Sequence, residues 1–250
     1  MFIWEFNMKL AEDRYKLIDA GKVLDVATGG GDFVKVIKND FHSFEHIVGI
    51  DVSDQAVKHA GSLFPENNIE ILRMDVEKIE FADEHFDTVC ISNSLHHLQN
   101  LDKGLGEMMR VLKGGGLFVA TEMYSDGHKT EAQKTHVLLH HWFSDVDRLM
   151  GIPHNHTFKK QQLIDMLSKL PLLRIEVIDY HYPTDNPKDA AVINTWVKNC
   201  QAMIKRLEKL GGQESLIEEG QALIEKVKET GFANVPRILL IGKRKKHTSR

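Results

Sequence analysis

Acidic and glycine residues with ligand-binding chemistry follow short apolar runs in the first half of the sequence. The stretch VLDVATGGGDF (residues 23–33) contains Asp25 and a run of three glycines (residues 29–31). Glycine lets the backbone approach a ligand closely, so this loop could present N–H groups to a bound molecule. A dinucleotide fingerprint would need a glycine where Val34 stands, and a phosphate loop would need Gly-Lys-Ser/Thr. A phosphate group is therefore not the expected ligand.

Three further polar residues follow later apolar runs. Asp51 comes after IVGI, about twenty residues beyond the glycine loop, where a carboxylate can accept hydrogen bonds from both hydroxyls of a ribose. This position alone fits NAD and adenosine cofactors equally well. Asp75 could accept a hydrogen bond from the exocyclic amine of an adenine, and Asn93 follows the run FDTVCIS. Because the carboxyl ends of parallel strands meet at one edge of a sheet, we expect these residues to line one site.

The elements that must position these residues alternate between strand and helix. Ser53 is a suitable N-cap, and glycines 114–116 are predicted to end the helix before the fifth strand. The alternation predicts an α/β fold with a parallel sheet and helices on both faces. Strands are predicted at residues 23–26, 47–50, 69–72, 86–92 and 117–121, with helices from residue 33, after Ser53 and over residues 101–112.

The second half of the chain has a different pattern. Residues 128–170 are predicted to be mostly helical, and residues 173–182 and 235–241 to be strands. Apolar residues at helical spacing predict a helical hairpin from residues 190–210 and 216–227. We predict one domain over residues 1–250, with an N-terminal helix or lid (1–20), a histidine-rich helical insert (124–170), a hairpin insert (187–231) and a basic tail (243–250).

Four motifs in order carry a family resemblance. They are VLDVATGGGDF, IVGIDVSDQAV, RMDVEKIEFADEHFDTVCISNSLHHL and EMMRVLKGGGLFVATE, and they cover roughly residues 20–122. Together they resemble the class I S-adenosylmethionine-dependent methyltransferases, most of all the small-molecule branch that includes the ubiquinone and menaquinone biosynthesis enzymes. The resemblance implies a Rossmann-like, seven-stranded, mostly parallel sheet whose last strand, residues 235–241, is antiparallel. It also implies that helical insertions form a substrate cap.

The resemblance also implies which residues bind the cofactor, S-adenosyl-L-methionine. The only departure from the family pattern is an alanine, Ala27, at the position of the usual first glycine. Its methyl group could shift the cofactor slightly without excluding it. The implied contacts are Asp25, Ala27, Gly29 and Gly31 around the methionine part, Asn93 near the sulfonium, Asp51 at the ribose with Val52 beside it, and Asp75 and Val76 at the adenine.

The implied reaction is methyl transfer to a small-molecule acceptor by in-line displacement at the sulfonium. Much of the catalysis can come from holding the acceptor at attack distance. A base is needed only if the acceptor carries a proton that it does not readily lose. The candidate bases are His97 and His96, because histidine titrates near neutral pH and both follow the fourth strand. The alternative is that this HHL segment only packs the loop onto the sheet.

A second set of histidines lies in the predicted insert. His136 and His140 are four residues apart and would share one face of a helix, and His154 and His156 follow after a turn. Such a set could bind zinc, nickel or iron. The spacing is only weakly specific, so helix polarity or substrate contact is favoured and no metal ligand is predicted.

Three other functions remain as alternatives. GGGD also resembles the glycine loop of an aminopropyltransferase of the spermidine synthase type, but SNSLHH after the fourth strand lacks the acidic cluster that would hold a polyamine. A non-catalytic metal- or S-adenosylmethionine-binding sensor or assembly module would use the histidine set. A NAD-dependent reductase is disfavoured by Val34.

Composition narrows the partners. The 250 residues carry a net charge of −4, which disfavours a general nucleic-acid surface. Two cysteines far apart do not make a disulfide framework, and they fit a reducing compartment. No apolar run approaches ~18 residues, so no membrane span is expected, and the N-terminus lacks the pattern of a signal peptide. We therefore expect a cytoplasmic enzyme; the predicted hairpin could form the contact of a homodimer.

Overall fold

The computed structural model of the chain describes residues 2–246. The strands are β1 (Lys22–Val26), β2 (His46–Asp51), β3 (Ile69–Arg73), β4 (Phe86–Ser92), β5 (Leu112–Met123), β6 (Leu172–Tyr180) and β7 (Arg237–Arg244). The α-helices are α1 (Phe2–Tyr15), α2 (Asp32–Asp40), α3 (Asp54–Leu63), α4 (Leu101–Val111), α5 (Glu131–Leu149), α6 (Lys160–Ser168), α7 (Ala190–Leu210) and α8 (Glu214–Thr230). Two short 3₁₀ helices, Val76–Lys78 and Leu95–His97, follow β3 and β4.

All seven strands form one sheet in the order β3-β2-β1-β4-β5-β7-β6. The pairs β1–β2, β2–β3, β1–β4 and β4–β5 are parallel, whereas β7 runs antiparallel to β6. The prediction of a seven-stranded, mostly parallel sheet with an antiparallel last strand is confirmed. The direction of strand succession reverses between β1 and β4, and the crevice beyond the carboxyl ends of two such strands is the usual ligand site of an open α/β sheet.

The central strands are buried on both faces. Val23, Leu24 and Val26 of β1 and Val89 and Ile91 of β4 have no exposed surface. Near-continuous apolar strands of this kind are typical of a parallel sheet covered by helices on both sides. The loops that leave these two strands therefore start from fixed positions.

The chain divides into two compact units. The sheet unit contains the residues up to Glu122, Gln161–Tyr180 and the residues from Arg237 onward, and the helical unit contains Met123–Lys160 and His181–Pro236. In the helical unit, α5 packs on α8, with Leu139 and Trp142 among the buried residues of its core. The two segments predicted as separate inserts thus share one core.

Several predicted boundaries are wrong. The glycines at 114–116 do not end α4, which stops at Val111; they lie inside β5. Gly116 has no room for a side chain, because an added Cβ would lie 2.7 Å from the carbonyl oxygen of Asp87. Residues 128–170 are mostly helical, as predicted, because they contain α5 and α6; residues 150–159 between these helices are irregular, and most of α6 groups with the sheet unit.

The last strand is shifted from its predicted position. It begins after Pro236, whose missing N–H suits the residue just outside a strand, and it continues to Arg244. The Arg244 side chain is buried, and its guanidinium donates hydrogen bonds to the carbonyl oxygen of Leu112 and to Glu84 Oε1. The predicted basic tail therefore starts as ordered strand, and its residues 247–250 lie outside the described part of the chain. Among residues 2–246, none of the helices has the length and apolar composition needed to cross a membrane.

Candidate active site

The loop between β1 and α2 is built on left-handed backbone conformations. The φ angles of Ala27, Gly29 and Gly31 are 54°, 54° and 81°. A Cβ added to Gly31 would lie 2.6 Å from Cε2 of Phe64, so this glycine is required for both its conformation and its close packing. Ala27 adopts a conformation that L-residues disfavour, which explains in physical terms why a glycine is usual there.

Asp25 lies beneath this loop and is almost completely buried, with 1% of its surface exposed. The hydroxyl of Thr28 lies 2.9 Å from Asp25 Oδ2, to which it can donate a hydrogen bond. Asp25 Oδ1 is buried and has no hydrogen-bond partner among the described residues. Burial raises the pKa of Asp25 to about 7; the hydrogen bond from Thr28 opposes this shift and the nearby charge of Asp51 adds to it.

Asn93 presents a second unpaired acceptor. It follows β4 with a φ angle of 47°, and its backbone N–H donates to the carbonyl oxygen of Thr121 at 2.8 Å. Its side-chain Nδ2 donates to Ser92 Oγ at 3.2 Å, while its Oδ1 is buried without a hydrogen-bond partner among the described residues. A buried polar atom without a partner is costly, so such atoms mark places where a ligand can supply the missing hydrogen bond.

Asp25 and Asn93 line the same cavity, at the reversal point between β1 and β4. Its volume is about 190 Å³. The other lining residues come from the glycine loop, the start of α2 and the end of β4. They are Ala27, Thr28, Gly29, Gly30, Asp32, Phe33, Ser92 and Ser94.

Asp51 is the last residue of β2 and is half-buried. Its Oδ2 accepts a hydrogen bond from the N–H of Gly29 at 2.9 Å, and its Oδ1 accepts one from the N–H of Ser53 at 2.9 Å. Each carboxylate oxygen has a second lone pair, so two hydroxyl groups could still be accepted. The side chain thus holds the glycine loop and keeps capacity for a diol.

A second cavity of about 360 Å³ lies beyond the ends of β2 and β3. Asp75 lines it, and one of its carboxylate oxygens accepts a hydrogen bond from the N–H of Glu77 at 2.8 Å. The side chain of Val76 is buried and is not among the lining residues. The lining residues are Val52, Arg73, Met74, Asp75, Lys78 and Glu80.

Six of the nine residues predicted to bind the cofactor line one of the two cavities, and three line neither. Asp25, Ala27, Gly29 and Asn93 line the first cavity, and Val52 and Asp75 line the second. Asp51, Gly31 and Val76 line neither cavity. Asp51 is hydrogen-bonded to Gly29 of the first cavity's lining, and Gly31 acts through the shape of the loop.

The two predicted catalytic histidines differ in burial. His96 is buried, and its Nδ1 lies 3.0 Å from Glu122 Oε1, while Glu122 Oε2 accepts a hydrogen bond from the N–H of Leu95 at 2.9 Å. His97 is exposed, and its ring centre lies 4.3 Å from that of His96. We did not predict a role for Glu122 from the sequence, although it lies near the carboxyl end of the fifth strand. Asp51 and Asn93 were predicted because they follow strands at their carboxyl ends, and the same rule would have identified Glu122.

Comparisons with known proteins agree with this geometry. Residues 24–120 match the family described as "Methyltransferase domain". A demethylmenaquinone methyltransferase of Bacteroides fragilis is 35% identical over 109 residues, covering 41% of this chain and 43% of the relative. A ubiquinone/menaquinone biosynthesis C-methyltransferase of Geobacter sp. (strain M21) is 36% identical over 124 residues, covering 46% and 50%. The chain thus spans about half the length of the curated relatives it matches.

A solved structure extends the likeness in fold to nearly the whole chain. The YcgJ protein of a Bacillus species superimposes with a TM-score of 0.61 at 18% sequence identity, covering 97% of this chain and 99% of that protein. At this identity the likeness concerns the fold alone. The family match, the relatives and the sheet topology agree on the segment that contains the cavity at the reversal point. Residues 24–120 are therefore similar in sequence to the methyltransferase-domain family, and this segment contains every residue that lines the cavity at the reversal point.

Proposed function

We propose that the protein transfers a methyl group from S-adenosyl-L-methionine to a small-molecule acceptor. The observation that carries the proposal is the pair of buried, unpaired acceptor atoms, Asp25 Oδ1 and Asn93 Oδ1, which belong to residues lining one cavity. A ligand that completes this site should bring hydrogen-bond donors or positive charge. The methionine part of the cofactor brings both, as an ammonium and a sulfonium group.

The backbone hydrogen bonds of the glycine loop disfavour a pyrophosphate at this site. A phosphate site at a glycine loop depends on free backbone N–H groups, but the N–H of Gly29 is bonded to Asp51 and that of Gly31 to the carbonyl oxygen of Thr28. The buried carboxyl group of Asp25 would also repel an anion once ionised. The site therefore favours S-adenosylmethionine over NAD.

The ribose and the adenine of the cofactor are assigned to Asp51 and to the second cavity. Asp51 would accept hydrogen bonds from the ribose hydroxyls, since each of its oxygens has a lone pair to spare. The adenine would enter the second cavity, where Val52 offers an apolar contact and Asp75 an acceptor. Val76 would contribute only through its backbone, because its side chain is buried.

When bound, the cofactor supplies an electrophilic methyl group, so the protein's main task is to hold the acceptor in line with it. Where the acceptor must lose a proton, His96 and His97 are the proposed bases. Glu122 Oε1 can accept a hydrogen bond from a protonated Nδ1 of His96. In that tautomer of the imidazole, Nε2 keeps its lone pair and can act as the base. Glu122 is then a positioning residue for the histidine.

The acceptor is proposed as a small organic molecule and is not named further. The relatives are named for ubiquinone and menaquinone biosynthesis, which makes a quinone-like ring one candidate. The family match ends at residue 120, and the helical unit lies outside it. The absence of a nucleic-acid partner, the cytoplasmic location and the homodimer remain predictions.

Calorimetry of the purified protein with S-adenosylhomocysteine tests the cofactor assignment. NADH and decarboxylated S-adenosylmethionine are titrated in parallel, the latter because an aminopropyltransferase would bind it. We expect saturable 1:1 binding of S-adenosylhomocysteine and no binding of NADH. Asn93→Ala should weaken the binding, and Asn68→Ala is the matched control, because Asn68 precedes the first residue of β3 and lines neither cavity. Binding of NADH alone, or of decarboxylated S-adenosylmethionine alone, would overturn the proposal.

A further inference from the structure

We propose that His140 and His154 of the helical unit bind a divalent transition-metal ion, for which Zn²⁺ fits best. His140 lies on α5, and His154 lies in the irregular segment that follows this helix. That segment folds back along α5, so the Nε2 atoms of the two imidazoles lie 3.4 Å apart. His154 is largely buried, with 7% of its surface exposed.

The separation of the two nitrogens matches a tetrahedral ion. Two ligands at Zn–N distances of 2.0–2.1 Å and a tetrahedral angle lie about 3.3–3.4 Å apart. As a hydrogen bond between two imidazoles, 3.4 Å would be at the long limit. The histidine pair is therefore already spaced for a shared cation.

Asp147 completes the arrangement in the way that a metal site requires. Its Oδ2 lies 2.7 Å from His154 Nδ1, so it can accept the Nδ1–H and leave the Nε2 lone pair directed at His140. A carboxylate on the far nitrogen of a metal-binding histidine fixes its tautomer and increases its basicity. Asp147 lies seven residues after His140, two helical turns along the same face of α5.

Three other histidines between residues 136 and 156 have partners elsewhere. His136 Nδ1 lies 3.0 Å from the carbonyl oxygen of Ala233, and the nitrogen that lies 3.4 Å from His140 Nε2 belongs to His154 and not to His136. The rings of His141 and His156 stack at 4.2 Å, and His156 Nε2 lies 3.0 Å from Asp145 Oδ1. The structure thus selects one pair out of the set.

Two protein nitrogens leave further positions on a four-coordinate ion. Water or an oxygen donor of a bound molecule can fill such positions, as in sites where zinc acts on a ligand. The sequence analysis predicted no metal ligand, and this proposal replaces that prediction. It does not depend on the methyltransferase proposal, because it uses only residues of the helical unit.

The test is metal binding by the untagged, chelator-stripped full-length protein. Zn²⁺ is titrated against a chromophoric chelator, and Co²⁺ is added separately to record its visible absorption. We expect one tight site per chain, a tetrahedral Co²⁺ spectrum and X-ray absorption of the zinc form that includes at least two imidazoles. Failure of the unmodified protein to bind one equivalent, or zinc bound without imidazole, would overturn the proposal whatever the variants do.

Variants locate the site. His140→Ala and His154→Ala should each weaken Zn²⁺ binding at least 100-fold, and Asp147→Asn should weaken it about 10- to 100-fold. His156→Ala is the matched control, because this exposed histidine pairs with Asp145 and should leave the affinity unchanged. Unchanged affinity in both His140→Ala and His154→Ala would exclude the site.

A parallel measurement separates the two proposals. Each variant is also titrated with S-adenosylhomocysteine, and its melting temperature is recorded without metal to show that it folds. We expect His140→Ala to retain S-adenosylhomocysteine binding while losing Zn²⁺. Loss of cofactor binding in every protein, with zinc binding intact, would contradict only the methyltransferase proposal.

Discussion

The glycine loop of the sheet unit and the histidine segment of the helical unit both gather polar side chains, but by different means. In the sheet unit, Asp25 and Asn93 are held at strand ends, and their positions follow from strand order and backbone conformation. In the helical unit, His140 and His154 meet because an irregular segment returns to α5. Strand ends place residues by a general rule, whereas a returning loop places them by its own local packing.

Gly31→Ala should break the sheet-unit site with the largest effect. Left-handed backbone costs an L-residue roughly 1–2 kcal/mol, and overpacking against Phe64 adds about 1–3 kcal/mol. We expect the free energy of unfolding to fall by about 3 kcal/mol in urea denaturation. Gly61→Ala is the control, since this helical glycine has no atom within 4 Å of an added Cβ and should gain stability by up to about 1 kcal/mol. Equal effects of the two changes would contradict the conformational argument.

Gly220→Ala applies the same test to the helical unit. An added Cβ would overlap the ring of Trp142, which is fully buried. We expect a loss of about 1–3 kcal/mol in stability, against the gain usual for glycine to alanine in a helix. S-adenosylhomocysteine affinity, measured by calorimetry, should stay unchanged; a stabilised protein would show that Trp142 can move aside.

Asp51→Ala should weaken S-adenosylhomocysteine binding by about 1–3 kcal/mol, the scale of a lost charge-assisted hydrogen-bond partner. The change also removes the bond that holds the N–H of Gly29. Calorimetry measures the effect, with Asp102→Ala as control because Asp102 is exposed in the first turn of α4 and lines neither cavity. An affinity equal to that of the control would remove the ribose assignment.

The affinity for S-adenosylhomocysteine should depend on pH through Asp25. Because the pKa of this buried carboxyl is raised to about 7, the unliganded folded chain resists ionisation, and its stability should fall as pH rises from about 4 to 7. An ammonium group of the ligand placed beside Asp25 favours the ionised carboxylate, so affinity should rise up to about fivefold between pH 6 and pH 7 and level off above about pH 8. Asp25→Asn should abolish this dependence; an identical pH profile in that variant would assign the titration elsewhere.

Ala27→Gly should have the smallest effect. It relieves the cost of a φ angle of 54°, roughly 1–2 kcal/mol, and adds backbone entropy to the unfolded chain, which costs about 0.4–1 kcal/mol. We expect a net gain below about 1 kcal/mol in thermal or urea unfolding. A clear loss of stability would mean that the methyl group of Ala27 contributes packing that offsets its strain.

Features set by strand position were predictable from the sequence. Asp51 ends β2, and Ser53 caps α3 by accepting a hydrogen bond from the N–H of Ala56, both as expected from local patterns. Glu122 obeys the same strand-end rule, so its place near the site was equally predictable. The shift of β7 could not be predicted, because the burial of Arg244 depends on partners in distant segments, Glu84 and the carbonyl oxygen of Leu112.

The histidine pairing shows the limit of spacing arguments. Helical periodicity correctly places His136 and His140 on neighbouring turns, but it says nothing about the partners that other segments supply. Ala233 provides a carbonyl oxygen for His136, and the irregular residues 150–159 bring His154 to His140. Contacts between segments far apart in sequence are decided by tertiary packing, which one sequence does not reveal.

The strand order also has a consequence for how the protein is made. β6 is an edge strand whose neighbour in the sheet is β7, and all of α7 and α8 is translated between the two. On the ribosome, β1 to β5 can pair as soon as they are made. The backbone groups of β6 have no partner strand until β7 has left the exit tunnel. Exposed strand edges of this kind recruit other chains. Synthesis that stalls before β7 should therefore yield a chain that depends on chaperones, even though the residues proposed to bind the cofactor have already been made.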